Sequence, residues 1–157
     1  MRRYKALIRA YADTSVFGGV FDEEFEKPSK RFFEVIRAGG IKLLTSELVR
    51  EEIQAGPRKV QAFFEEMLLF AEVVGISKAV LELQGAYVNK EIVSKKYATD
   101  AMHVALATVA GARVIVSWNF KHIVNFQKIP MYNSVNALQG YHPIGIYSPL
   151  EVTGYED

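Results

Sequence analysis

An α/β fold on a mainly parallel sheet is what the 157-residue sequence predicts, and three observations predict it. Short apolar, β-branched runs alternate with amphipathic stretches along the chain. Gly, Pro, Asn or Ser punctuates each switch. Residues 98–124 read as a nearly all-apolar helix, a glycine stop and a buried strand, the order a parallel sheet requires.

Taken in order, residues 1–9 carry Arg2, Arg3, Lys5 and Arg9 and read as a solvated basic arm. Residues 10–12 lead a buried strand to Asp13, where Thr14, Ser15 and Gly18-Gly19 supply turn chemistry. An acidic loop follows at 22–27. Pro28-Ser29 opens a helix with Phe32, Phe33, Val35 and Ile36 turned inward, closed by Gly39-Gly40. Residues 41–44 form the second strand. Thr45 or Ser46 caps a short helix carrying Glu47, Glu51 and Glu52, and Gly56-Pro57 ends it. Val60, Phe63, Phe64, Met67 and Leu68 fit the helical template and read as core.

Residues 72–76 are the third strand, and Ser77 caps a helix reaching residue 90. A polar link with Lys95-Lys96 precedes the central helix, which Thr99 can cap and which holds Asp100 in its first turn. Gly111 stops that helix, and residues 113–116 form a central strand. Beyond Asn119 the chain reads as irregular, with Asn125, Asn133, Asn136, Gly140 and Pro143, and residues 144–147 form an edge strand. The expectation is one domain over 1–157, with a core at 10–124 and an irregular C-terminal region at 125–157.

Half the residues are hydrophobic, 24% are charged and the net charge is +1, so nucleic-acid contact would have to come from local patches. With no cysteine, disulfides, thiolate zinc sites and cysteine nucleophiles are excluded. No apolar run is long enough to span a bilayer. Arg9 breaks any signal-like apolar core, so a cytoplasmic location is expected. Glycine-rich phosphate loops, Gly-x-Ser-x-Gly and His-Glu-x-x-His are absent. His103, His122 and His142 lack metal-ligand spacing, and His103 reads as a satisfied core histidine.

The remaining chemistry is a set of acids at element ends. Asp13 follows the first strand, Glu52 lies on the helix after the second, and Asp100 begins the central helix. Singly, each has a plain structural explanation: a turn brace, a surface charge, a helix-dipole partner. Together they fall on the sheet edge where strands end and helices begin, the ligand-binding edge of open α/β sheets. Oxygen donors of this kind suit Mg²⁺ or Mn²⁺, and a divalent ion relieves their mutual repulsion. Neighbouring Glu51 points about 100° away from Glu52, so only one of the two can face the site.

These residues resemble motifs of the PIN-domain family, the fold of VapC-type toxin ribonucleases. Tyr-Ala-Asp13-Thr-Ser is similar to its first motif, the segment from Thr45 to Ile53 to its second, Thr99-Asp100-Ala-Met-His to its third, and Val-Ile-Val-Ser117-Trp-Asn119 to its fourth. The tail from Ser117 onward resembles a prokaryotic subgroup with Ser-Trp-Asn at the fourth motif. The resemblance implies a three-layer α/β/α fold with a five-stranded sheet in order 3-2-1-4-5. It also implies a Mg²⁺- or Mn²⁺-dependent ribonuclease that leaves a 3′-hydroxyl and a 5′-phosphate. Asp13, Asp100 and Glu52 would be its metal-binding acids, with Glu52 activating water and Ser15 and Ser117 in support. Lys95, Lys96, Lys121 and Arg50 are candidate RNA contacts. An antitoxin partner and a homodimer are implied as well. One departure stands out: Asn119 replaces the usual fourth acid, which weakens a second metal site.

Two other readings stay open. Asn119 could mark a weak or inactive module that binds RNA or protein without cutting. Phe17, Phe21 and Phe25, spaced for one helical face, could form a dimer interface in an interaction protein. Trp118 could stack on a base, or pack against a neighbouring helix.

Overall fold

The computed structural model describes residues 7–154. The basic residues Arg2, Arg3 and Lys5 lie outside the described residues. Arg9 does not belong to a solvated arm. It sits in the first strand and bonds the Ala110 carbonyl at 2.9 Å and Glu72 at 3.1 Å.

Among the described residues, five strands form one sheet: β1 (Ile8–Ala12), β2 (Ile41–Ser46), β3 (Ala71–Val74), β4 (Val114–Val116) and β5 (Gly145–Tyr147). All pairs are parallel and the order is β3-β2-β1-β4-β5. β1 is central, and its inner residues and those of neighbouring β4 are wholly buried, as strands covered on both faces must be. Among the described residues, eight α-helices flank the sheet: α1 (Thr14–Gly19), α2 (Glu26–Arg37), α3 (Glu47–Gln54), α4 (Arg58–Met67), α5 (Lys78–Asn89), α6 (Ala98–Val109), α7 (Lys128–Leu138) and α8 (Pro149–Thr153). No described helix is long and apolar enough to cross a membrane.

The core is one cluster on both sheet faces. Phe17, Phe32, Phe33, Leu43, Leu44, Met67, Leu83, Leu106 and Ile115 are among its fully buried side chains. Burying each such residue contributes about 1.5–3 kcal/mol. Phe17, Phe33, Phe63 and Phe64 meet at tilted and edge-on angles, with centroids 4.8–6.4 Å apart.

Several boundaries differ from the sequence reading, each for a physical reason. Residues 14–19 are a helix rather than a turn, because the Asp13 carboxylate caps the Ser15 N–H. That helix ends at Gly19, so Phe17, Phe21 and Phe25 do not share one face. Phe17 is core, Phe21 is exposed, and Phe25 stacks on Trp118 within the same chain. α2 begins at Glu26 inside the expected acidic loop, with Pro28 in its first turn, where a missing N–H costs nothing. Ser46, not Thr45, caps α3. Thr99 does not cap α6; a 3-10 turn over Lys95–Tyr97 leads straight into it.

The largest difference is α7, in the segment read as irregular. Its asparagines disfavour helix, but they are spent on tertiary bonds. Asn125 Oδ1 accepts the N–H groups of Gln127 and Lys128 at the helix start. Asn133 bonds both backbone groups of Ile144, and Asn136 accepts the buried Tyr87 hydroxyl. Ser148 and Glu151 form a capping box that opens α8.

Candidate active site

In a parallel sheet all strands end at one edge, so β1 delivers Asp13 beside Ser117 at the end of β4. The backbone fixes this neighbourhood: Ala12 pairs with Val116, and Asp13 N–H donates to the Val116 carbonyl at 3.2 Å. Asp13 is only 4% exposed. Its Oδ1 accepts Ser15 N–H at 3.1 Å and Ser15 Oγ at 2.6 Å; its Oδ2 accepts Ser117 Oγ at 2.6 Å. Each hydroxyl donates to the carboxylate, which can only accept, while its own oxygen accepts a backbone N–H, from Trp118 for Ser15 and from Asn119 for Ser117. Burial pushes the Asp13 carboxyl above the usual carboxylate range. His103 and the Ser117 and Ser15 hydroxyls oppose that rise, and nearby Glu52 adds to it.

Glu52 reaches the same place from α3, while Glu51 is exposed. Glu52 Oε1 accepts the Thr14 hydroxyl at 2.8 Å and faces His103 Nε2 at 2.7 Å. His103 Nδ1 meets the Tyr11 hydroxyl at 2.8 Å, and that hydroxyl meets Ser46 Oγ at 2.8 Å. One proton arrangement satisfies the whole chain. Ser46 Oγ accepts Val49 N–H and donates to Tyr11; Tyr11 donates to Nδ1; Nε2–H donates to the carboxylate. Burial would raise the Glu52 carboxyl, but the His103 and Thr14 bonds outweigh it and hold Glu52 below its ordinary value. His103 is therefore a satisfied core histidine, as its sequence context implied, yet one of its partners is a candidate site acid. Sequence reading missed that link, although His103 follows Asp100 by three residues on one helix face.

Asp100 stands one helical turn before His103, about 4.5 Å along the axis. Among the described residues it has no hydrogen-bond or ion-pair partner. Its charge is felt at His122 and Tyr132. No three His, Asp or Glu side chains among the described residues gather into a ready-made metal cluster. Asp13 and Glu52 feel each other's charge and that of His103, while Asp100 makes no hydrogen bond or ion pair with either.

Asn119 Oδ1 accepts His122 N–H at 2.9 Å, which commits its carbonyl oxygen to capping the turn after β4. Trp118 donates to Ser29 Oγ of α2 at 2.9 Å and stacks on Phe25 at 4.1 Å between centroids. The candidate basic contacts separate. Lys96 and Lys121 both lie over the Tyr97 ring, at 5.5 and 5.4 Å. Lys95 borders a different hollow with Asn89 and Glu91, and Arg50 another with Arg58 and Glu65.

A hard divalent ion fits this donor set. Mg²⁺ keeps several waters and needs only one or two protein carboxylates. Asp13 Oδ2 accepts a single bond, Glu52 Oε2 accepts none, and Asp100 is unpartnered. Neither Asp13 nor Asp100 is neutralised by a lysine or arginine among the described residues.

A PIN-domain family profile matches residues 10–121, from β1 to just past the Ser117-Trp118-Asn119 motif. The chain belongs to the PIN-domain family. No curated protein sequence matches it. Several solved structures share the fold. VapBC-1 from nontypeable Haemophilus influenzae aligns with TM-score 0.59 and 13% identity, over 90% of this chain and 98% of that one. VapBC2 from Rickettsia felis, bound to a promoter DNA fragment, aligns with TM-score 0.58 and 12% identity, over 90% and 98%. Mycobacterium tuberculosis VapC20, a Sarcin-Ricin loop cleaving toxin, aligns with TM-score 0.56 and 14% identity, over 87% and 98%. This PIN domain shares the three-layer α/β/α architecture and the 3-2-1-4-5 strand order that the resemblance implied.

Proposed function

We propose that this PIN domain is a Mg²⁺- or Mn²⁺-dependent ribonuclease, the toxin of a toxin–antitoxin pair. One observation carries the reading. The Asp13 carboxyl is buried at the end of the central strand, close enough to Glu52 to be raised by its charge, and no lysine or arginine among the described residues balances it. A buried, unbalanced acid is costly unless a cation or a reaction uses it.

Asp13 and Asp100 would hold the ion, with Glu52 beside it. When bound, a divalent ion supplies an activated water and stabilises charge on the phosphodiester. Glu52 accepts the proton of the attacking water at its free oxygen, while His103 and Thr14 fix the other. Ser15 and Ser117 keep the Asp13 carboxylate oriented. The water oxygen bonds to phosphorus in line and the bond to the 3′-oxygen breaks, so that oxygen leaves as a 3′-hydroxyl after taking a proton from solvent. The Asn119 Nδ2 group is left to donate to a phosphate oxygen.

The test is cleavage of single-stranded RNA by purified protein with Mn²⁺, with EDTA, and as Asp13→Asn. The proposal expects cleavage in the first condition alone, and cleavage that survives both EDTA and the substitution contradicts it. A toxin–antitoxin complex from Klebsiella pneumoniae also shares the fold, with TM-score 0.55 and 16% identity, which supports an antitoxin partner for this chain. We expect a homodimer as well, read by light scattering.

A second reading rests on Asn119. Its oxygen is occupied by His122 N–H, so the fourth motif offers no free anionic ligand. RNA binding that responds to chelation, with no product formed, supports a non-cleaving module.

A further inference from the structure

We propose that Lys96, Lys121 and Lys128, gathered around the stacked rings of Tyr97 and His122, form a phosphate-binding subsite for single-stranded RNA. It rests on the reading of RNA as substrate and adds where the strand is gripped.

Three separate elements converge here. Lys96 and Tyr97 belong to the 3-10 turn before α6, Lys121 and His122 to the loop after β4, and Lys128 begins α7. The Tyr97 and His122 rings stack with centroids 4.1 Å apart. Lys96 and Lys121 Nζ lie 5.5 and 5.4 Å from the Tyr97 centroid, and Lys128 Nζ lies 3.2 Å from His122 Nδ1. None of the three ammonium groups has a carboxylate partner among the described residues.

His122 does not balance them. It accepts the Lys128 ammonium, so it is neutral, and its Nε2–H is buried without a partner. Lys128 also places positive charge in the first turn of α7, where the helix dipole disfavours it. Asp100 is the acid whose charge reaches this group. Three cations against one carboxylate is a local excess in a chain of net charge +1. A phosphodiester chain relieves that repulsion, and each phosphate contact releases counterions. Phe120, 51% exposed and 6.0 Å from Trp118, adds an open ring on which a base can stack, which favours RNA over an acidic peptide.

The test is binding, measured in EDTA on the Asp13→Asn protein so that cleavage plays no part. The probe is a fluorescein-labelled single-stranded RNA oligonucleotide followed by anisotropy. Replacing Lys96, Lys121 and Lys128 together with alanine is expected to weaken binding by about tenfold or more near 50 mM salt. The slope of log affinity against log salt should fall by about 2, roughly 0.7 per lysine. Lys121→Gln alone, at an exposed position, should lower the slope by about 0.7 even if the triple variant folds poorly. Lys78→Ala serves as the control. Unchanged slopes, or no RNA binding by the protein with all three lysines, overturn the proposal. Lysine-dependent binding of poly-glutamate in place of RNA overturns it in favour of an acidic protein partner. Lysine-dependent RNA binding in a protein that never cleaves keeps the subsite and removes the nuclease reading instead.

Discussion

His103 Nε2 and Glu52 Oε1 lie 2.7 Å apart, and the far side of the imidazole is held by the Tyr11 hydroxyl at 2.8 Å. A core histidine thereby ties the sheet interior to a site carboxylate. His103→Ala strands the buried Tyr11 hydroxyl and frees the Glu52 side chain. It is expected to cost about 1–3 kcal/mol in urea unfolding. RNA cleavage should fall by about 10–100-fold, as when outer supports of a metal site are lost.

Asp13 makes the domain less stable as pH rises. Its folded carboxyl value is raised above the ordinary 3.8, so the folded state holds its proton more tightly than the unfolded chain does. The cost is absent below 3.8, grows as pH rises, and is complete above the folded value. In EDTA, the melting temperature of the parent should therefore fall further between acid and neutral pH than that of Asp13→Asn, whose side chain does not ionise. Scanning calorimetry of the two proteins across pH makes the comparison.

Divalent ions should stabilise the folded domain through the Asp13 carboxylate. Mn²⁺ added at neutral pH is expected to raise the melting temperature of the parent protein and to do so little for Asp13→Asn, since binding only the folded state stabilises it. Thermal shifts with and without EDTA make the comparison.

Gly19 lets Trp118 lie against α1. A Cβ there would sit 2.5 Å from Ser29 Oγ and 2.8 Å from Trp118 Nε1, breaking the bond between them. Gly19→Ala should cost about 1–3 kcal/mol through overpacking. The indole emission should shift to the red as Trp118 gains solvent.

Asn136 anchors α7 through the Tyr87 hydroxyl, which is fully buried. Burial pushes that hydroxyl upward, beyond the range a protein titrates, so it remains a donor in need of an acceptor. Asn136→Ala should destabilise the domain by about 1–3 kcal/mol in urea unfolding, the penalty of an unmet buried donor.

Much of the fold was legible in the sequence because its signals are local. The β-branched run at 114–116, the stripe from Val60 to Met67 and the serine cap at Ser77 each name their element without help from distant residues. α7 was not legible, because Asn133 and Asn136 earn their helical places through Ile144 and Tyr87, partners a linear reading cannot supply. Site residues divide the same way. Asp13 and Ser117 follow strands that parallel pairing brings together, and Ser15 lies two residues beyond Asp13. The Thr14 and His103 bonds to Glu52 depend on where α3 packs, and periodicity within one helix does not report that.

Anomalous diffraction from crystals soaked in Mn²⁺ tests the central claim most directly. A peak in direct or one-water reach of the Asp13 and Asp100 carboxylates, with Glu52 beside it, is the predicted result. Fully occupied Mn²⁺ elsewhere on the molecule, with none at Asp13, would contradict the account.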